Sequence, residues 1–365
     1  LFPVSFSKFV ISIIQRGGDA MVTQTRRYDG FDGVKTFEAF DGFAMEARVD
    51  AADELRAMRD AVEERIAYWL AEGGGRDDLL SAAMRAGALS SGKRMRPLLT
   101  MLVARDLGCV SPALVDVACA VELVHAASLI LDDMPCMDNA QLRRGQPTVH
   151  VQFGEDVAIL AAIALLSRAF GILAAAPDIP AVVRARLVGK LSETIGAQGL
   201  VKGQFLDLHG KRATVDDIAT TNELKTGVLL GVAVDMAAII AQADDDVAAS
   251  LRAFALAAGH AFQLRDDFQD VPGNDSAVTG KDTGKDVGKA TLINTVGLDE
   301  ARRQLAGHLA DAERCLGAAL GSRQRTRRFV EGLFGGAAVS TAASSAAAAS
   351  SAAAAYAPAP SYAPN

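Results

Sequence analysis

The chain has 365 residues, half of them apolar, with a mean hydropathy of +0.19 and only 5% aromatics. A composition led by Ala, Leu and Val suits packed helices better than sheets, and the length is ample for a large core. The formal net charge is −7 with the basic residues scattered along the chain, which argues against a nucleic-acid partner. Any anionic ligand must therefore meet local Lys and Arg clusters or metal ions.

In chain order, residues 1–50 are poorly patterned, with Gly-Asp turns and no sustained period, and are expected to be largely disordered. Met21 is a candidate initiator within them. Phe9 to Ile14 is apolar but short, without the basic region or cleavage site of a signal peptide. From Ala51 the pattern is helix after helix, with no convincing β-alternation. Leu55, Met58, Val62, Ile66 and Leu70 mark one face of a first helix, broken at Gly73 to Gly75. A second carries Leu79 to Leu89 and ends at Ser90-Ser91-Gly92; a third opens near Pro97. Ser111-Pro112 predicts an N-cap with proline at the first helical position. The helix that follows is apolar nearly all round as far as Leu131, so it should be central and buried.

Val157 to Ala176 approaches membrane-span length, but Ser167 and Arg168 in its middle favour a buried bundle helix and no transmembrane span. One helix is predicted over Arg186 to Leu208, another opening at Thr214 with Asp217 in a capping-box pattern, and another from Ser250 to Val271. A loop rich in Gly, Lys and Asp runs from Asn274 to Lys289, and Asp299 to Leu320 closes the fold. Beyond Gly336 the sequence is free of charge and low in complexity. This divides the chain into a poorly patterned segment (1–50), one all-α domain (51–335) and a tail (336–365). Cys109, Cys119, Cys136 and Cys315 lack CxxC or Cys/His spacing, as expected of reduced residues in a cytoplasmic protein.

Two acidic clusters interrupt apolar helices: Asp132-Asp133-Met-Pro-Cys-Met-Asp138 and Asp266-Asp267-Phe-Gln-Asp270. Asp266 and Asp270 lie one helical turn apart, about 40° around the axis, so both project to one side with Asp267 beside them. Asp132 and Asp138 would stand roughly 120° apart on a straight helix. Pro135 supplies a break that would bring Asp138 back. Either cluster alone reads as a solvated helix end. Two of them on apolar helices point to Mg²⁺, which is held by one or two carboxylates plus phosphates and water. Lys93, Arg94 and Arg96 at a helix entrance, Arg143-Arg144, and Lys281, Lys285 and Lys289 add cations, describing a cavity for two diphosphates.

The stretch Glu122 to His150 resembles the first aspartate-rich region of trans-prenyltransferases, most closely the bacterial geranylgeranyl diphosphate synthases of carotenoid pathways. The likeness runs from about Glu54 to Phe334 and includes Gly-Lys93-Arg-x-Arg96-Pro, Gly203-Gln204, Lys225-Thr226 and Phe262-Gln263 in order. Asn139 stands where many relatives carry a second acid.

The resemblance implies the isoprenoid synthase fold, an antiparallel helix bundle around a deep central cavity, and a homodimer. It implies Mg²⁺-dependent head-to-tail condensation of isopentenyl diphosphate with dimethylallyl, geranyl or farnesyl diphosphate. By the same likeness Lys93, Arg96, His125 and Arg144 hold isopentenyl diphosphate. Arg143, Lys225, Thr226, Gln263, Lys281 and Lys289 meet the allylic diphosphate, and Asp132, Asp138, Asp266 and Asp270 bind metal. Small Ala127 and Ser128, about one turn before Asp132, leave room for a chain longer than farnesyl. Farnesyl diphosphate is the alternative product. A regulatory subunit of the same fold would show degraded acidic motifs, and a terpene cyclase has no use for Lys93, Arg96 and Arg144.

Overall fold

The structure is a computed structural model that describes residues 13–17, 20–24, 38–71, 78–210, 214, 217, 220, 221, 223–269, 293 and 296–334. Two compact units are distinguished, Leu1–Asp50 and Ala51–Asn365. In the first, β1 (Ile13–Gly17) pairs antiparallel with β2 (Ala20–Gln24), Ile13 opposite Gln24 and Gly17 opposite Ala20. The segment expected to lack order thus contains a hairpin. Helix α1 also begins earlier than its apolar face suggested, spanning Glu38–Ala71.

The remaining helices are α2 (Leu79–Ala88), α3 (Met95–Asp106), α4 (Leu114–Asp132), α5 (Val149–Phe153), α6 (Glu155–Ala175), α7 (Ala181–Ile195) and α8 (Leu200–His209). A π-helical segment, Glu223–Gly227, leads into α9 (Val228–Ile240), followed by α10 (Asp245–Gln269), α11 (Leu298–Leu320) and α12 (residues 325–334). Among the described residues the only other strands are β3 (Leu142–Arg143) and β4 (Gln146–Pro147). The fold is all-α.

Helix α4 is the central element the sequence called for: Val117, Ala118, Cys119, Ala120, Val121, Leu123 and Val124 are fully buried, and α2, α3, α6 and α9 pack around it. Its two interior carboxylates are both satisfied, as burial of charge demands. Asp116 accepts from Arg65 Nε (2.6 Å), Arg65 Nη2 (2.9 Å) and Trp69 Nε1 (2.7 Å), and Glu122 accepts from Arg94 Nη1 at 2.9 Å. The start of α4 is looser than a capped helix. Ser111 Oγ accepts from Ala113 N at 3.3 Å, but the helix proper opens at Leu114, two residues past the predicted proline position.

Helices α4 and α6 are both long and apolar enough to cross a membrane. Burial separates them: 72% of the α4 window is buried but only 39% of the α6 window. Helix α6 packs on α4 and buries Ala158, Ala161, Ala162, Leu165 and Ala169, while Ile159, Leu160 and Ile163 stand 42–56% exposed.

The helix predicted over Arg186 to Leu208 is two helices. Gly199 permits the break, because any side chain there would put its Cβ 2.0 Å from the Thr194 carbonyl oxygen. The capping box forms as read: Thr214 N donates to Asp217 Oδ2 at 3.1 Å, and Asp217 N donates to Thr214 Oγ1 at 3.1 Å. Helix α12, with no counterpart in the sequence reading, is capped from far along the chain. Thr326 N and Oγ1 both donate to buried Asp106 Oδ2, at 2.9 and 2.8 Å.

Candidate active site

Helix α4 ends at Asp132, and a series of tight turns follows. Met134 N donates to Leu131 O, Met137 N to Met134 O, and Asp138 N to Asp132 O at 3.0 Å. That last bond folds Asp138 back over the helix end and undoes the angular separation of a straight helix. Both carboxylates then meet one cation, with Lys225 Nζ 3.0 Å from Asp132 Oδ1 and 4.0 Å from Asp138 Oδ2. Lys225 comes from the π segment, whose wider winding is a frequent mark of functional positions.

A third carboxylate, absent from the sequence reading, joins them. Asp207 Oδ2 on α8 accepts from Lys225 Nζ at 2.7 Å. Its only sequence signal is its place one turn after Gly203-Gln204.

Asp133 turns away from this group. It is 4% exposed and receives Arg143 Nη2 at 2.5 Å and Nε at 2.9 Å. Burial raises its carboxyl above the usual range, against the downward pull of those bonds. Burial also opposes the charge on Arg143, but the bonds to Asp133 and the fields of Asp132 and Asp138 prevail, and Arg143 holds its proton more tightly than usual. Arg143 and Arg144 sit on a two-residue hairpin: Arg143 pairs with Gln146 across Arg144 (φ 54°) and Gly145 (φ 75°). Two successive left-handed residues make a type I′ turn, and Gly145 takes its share without strain. The turn directs Arg144 to the loop before α3, where Nη1 donates to Ser91 O at 2.5 Å, and a Cβ at Gly92 would sit 2.5 Å from the same nitrogen.

That loop carries the basic group predicted at the helix entrance. Lys93 is exposed, whereas Arg94 is buried at 4% exposure and tied to Glu63 (3.0 Å), Glu122 (2.9 Å) and Ser90 O (2.8 Å). Arg94 is thus a structural anchor. Arg96 Nη1 donates to His125 Nε2 at 3.2 Å, which leaves the ring proton on Nδ1. Arg96 Nε and His125 Nδ1 are both buried with no partner among the described residues. Burial first, then Arg96, Arg144, Arg143 and Arg94, hold the His125 imidazole well below its ordinary pKa, so it is neutral. Burial likewise lowers Arg96, reinforced by Arg144 and opposed by Glu122 and Asp266. The field of Asp266 therefore reaches Arg96 from α10.

On α10, Asp266 is 43% exposed with Arg265 Nη2 at 3.6 Å, and Gln263 Nε2 donates to Asp267 Oδ1 at 2.9 Å. Asp270, the Thr226 side chain, Lys281, Lys285 and Lys289 lie outside the described residues. Ala127 is completely buried, and half-buried Ser128 donates from Oγ to His125 O at 2.8 Å. Among the described residues no group of three His, Cys, Asp or Glu side chains is placed to hold a metal ion by itself.

The site joins carboxylates gathered on one lysine to buried basic donors, a donor set suited to a phosphate-bearing ligand. The Polyprenyl synthetase family profile matches residues 77–318, and the chain belongs to that family. It is 48% identical over 293 residues to a geranylgeranyl diphosphate synthase of Pseudescherichia vulneris, covering 79% of this chain and 94% of the relative. A geranylgeranyl diphosphate synthase of Pantoea ananas is 47% identical over 289 residues, covering 78% and 93%. Among solved structures, an apo FPP/GFPP synthase from Zymomonas mobilis superposes with a TM-score of 0.66 at 32% identity, over 77% of this chain and 99% of that one.

Proposed function

We propose that the protein is a geranylgeranyl diphosphate synthase, condensing isopentenyl diphosphate head to tail with dimethylallyl, geranyl and farnesyl diphosphates. The observation that carries this reading is a pair of buried donors without a partner among the described residues, Arg96 Nε and His125 Nδ1, in a domain whose Asp132 and Asp138 gather on Lys225. A buried polar group without a partner costs about 1–3 kcal/mol, and a diphosphate oxygen would satisfy both donors. The names of both curated relatives support the product.

In this reading Lys93, Arg96, His125 and Arg144 hold isopentenyl diphosphate. Arg143, kept in place by Asp133, joins Lys225, Thr226, Gln263, Lys281 and Lys289 on the allylic diphosphate. Asp132 and Asp138, with Asp266 and Asp270, hold Mg²⁺. The fit rests on donor chemistry: Asp132 and Asp138 offer hard oxygens around a place that a cation, Lys225 Nζ, already takes. Mg²⁺ is ordinarily completed by phosphate oxygens and water beside one or two carboxylates. Bound with the diphosphate, Mg²⁺ supplies positive charge to the leaving oxygens.

Arg143 and Lys225 add fixed charge where negative charge develops. The allylic C1–O bond breaks with its electron pair on the diphosphate. The isopentenyl double bond then forms the new carbon–carbon bond at C1, and a proton passes from C2 to the departed diphosphate. Apolar helix walls keep water from the cation.

We further infer a cytoplasmic homodimer in which a second copy covers Ile159, Leu160 and Ile163 of α6. Residues 51–335 form the synthase domain. Replacing Asp132 or Asp266 by Ala should lower turnover roughly a hundredfold or more while leaving the helical circular dichroism unchanged, and EDTA should stop the reaction reversibly. Near-wild-type turnover of either variant in saturating Mg²⁺ would remove that residue from the metal site.

A further inference from the structure

Lys225 carries the reaction's charge in the reading above, yet its ammonium rests among carboxylates that the metal would need. These are Asp132 and Asp138; a third carboxylate outside the metal set, Asp207, is the nearest to Lys225 Nζ, at 2.7 Å. Asp207 differs from the other two in place and burial. It stands on α8, across from the acidic turn, and its side chain is 9% exposed against 15% for Asp132 and 26% for Asp138.

The backbone is shaped for this contact. At Gly203, one turn before Asp207, an added Cβ would lie 2.6 Å from Leu224 C and 2.7 Å from Lys225 N. Only a glycine lets α8 press directly against the π segment. On the other side of that segment, a Cβ at Gly259 of α10 would meet Gly227 Cα at 3.2 Å. The π segment is thus held between two glycine contacts, with Asp207 at the end of the reach of Lys225.

We propose that Asp207 is a positioning residue that gives Lys225 a carboxylate of its own, so that the ammonium can leave Asp132 and Asp138 to Mg²⁺ while still facing the allylic diphosphate. Without Asp207, the same ammonium has, among the described residues, only the metal-binding pair to neutralise it and competes with the ion. The proposal rests on the reading of Asp132 and Asp138 as metal ligands.

The test is a melting-temperature titration of the full-length protein with Mg²⁺ at fixed inorganic pyrophosphate, for wild type, Asp207→Asn, Lys225→Met and the double variant. Asp207→Asn should need roughly tenfold more Mg²⁺ for the half-maximal shift, the scale of one lost hydrogen bond to a charged group. The double variant should return to within about threefold of wild type, because the competing ammonium is gone. A purely structural role for Asp207 would not be relieved by removing Lys225. Gly203→Ala should raise the Mg²⁺ requirement as Asp207→Asn does.

An Asp207→Asn midpoint equal to wild type, or a double variant no better than Asp207→Asn, would overturn the proposal. If wild type itself shows no shift with Mg²⁺ and pyrophosphate, the metal reading fails first and takes the proposal with it. Apparent Mg²⁺ requirements for turnover, measured on the same four proteins, should follow the same order.

Discussion

His125 is held neutral by burial and by the arginines around it, and that has a consequence for pH. A histidine whose folded pKa is depressed stabilises the fold fully above its unfolded value near 6.5, and this stability is lost as pH falls from there towards the folded value. The melting temperature of the ligand-free protein should therefore drop between about pH 7 and pH 5, and His125→Gln should flatten that slope. An identical slope in both proteins would show that other groups govern acid stability. The residue types at this site were legible because chemistry repeats them: paired acids, Lys-Arg-x-Arg, and His125 in the motif. Their partners were not. That Arg94 serves Glu63 and Glu122 while Arg96 turns to His125 goes with a left-handed Arg94 (φ 47°), which no spacing rule reports. Asp207 was missed for a similar reason, since an isolated acid on a helix is ordinarily a solvated one.

Helix α4 shows how one element links core to chemistry. Its apolar faces are covered by α2, α3, α6 and α9, with α1 reaching Asp116 and Cys119, and its end, with His125 and Ser128 half-buried and Asp132 at 15% side-chain exposure, opens to the site. Ala127, completely buried one turn earlier, has no free room of its own. Ala127→Phe must displace either its packed neighbours or the growing prenyl chain, at about 1–3 kcal/mol for overpacking. The expected result is a main product shortened from geranylgeranyl to farnesyl diphosphate with a lowered melting temperature, read by sizing products after phosphatase treatment. An unchanged twenty-carbon product would place the chain-length limit elsewhere. Helix existence followed from periodicity almost throughout, but continuity did not. The break between α7 and α8 arises because Gly199 lets the chain meet the Thr194 carbonyl, a close approach that hydrophobic spacing does not record.

For the whole molecule, fold class and the order of helices were legible because half the residues are apolar and recur at helical spacing. The exposed side of α6 was not, because an apolar helix reads alike whether its own chain or another molecule covers it. Leu160 is 54% exposed and Ile163 56%, and burying the remaining half of each stabilises an interface by about 1 kcal/mol. Leu160→Glu with Ile163→Glu should convert a dimer to monomers in sedimentation velocity while leaving helical content intact; a monomeric wild type would refute the second copy. The account's central claim is tested most directly by incubating the purified protein with Mg²⁺, labelled isopentenyl diphosphate and each of dimethylallyl, geranyl and farnesyl diphosphate. It predicts label in a twenty-carbon diphosphate from all three primers, lost with EDTA and regained with Mg²⁺. Label remaining entirely in isopentenyl diphosphate, with every primer and saturating Mg²⁺, would contradict it.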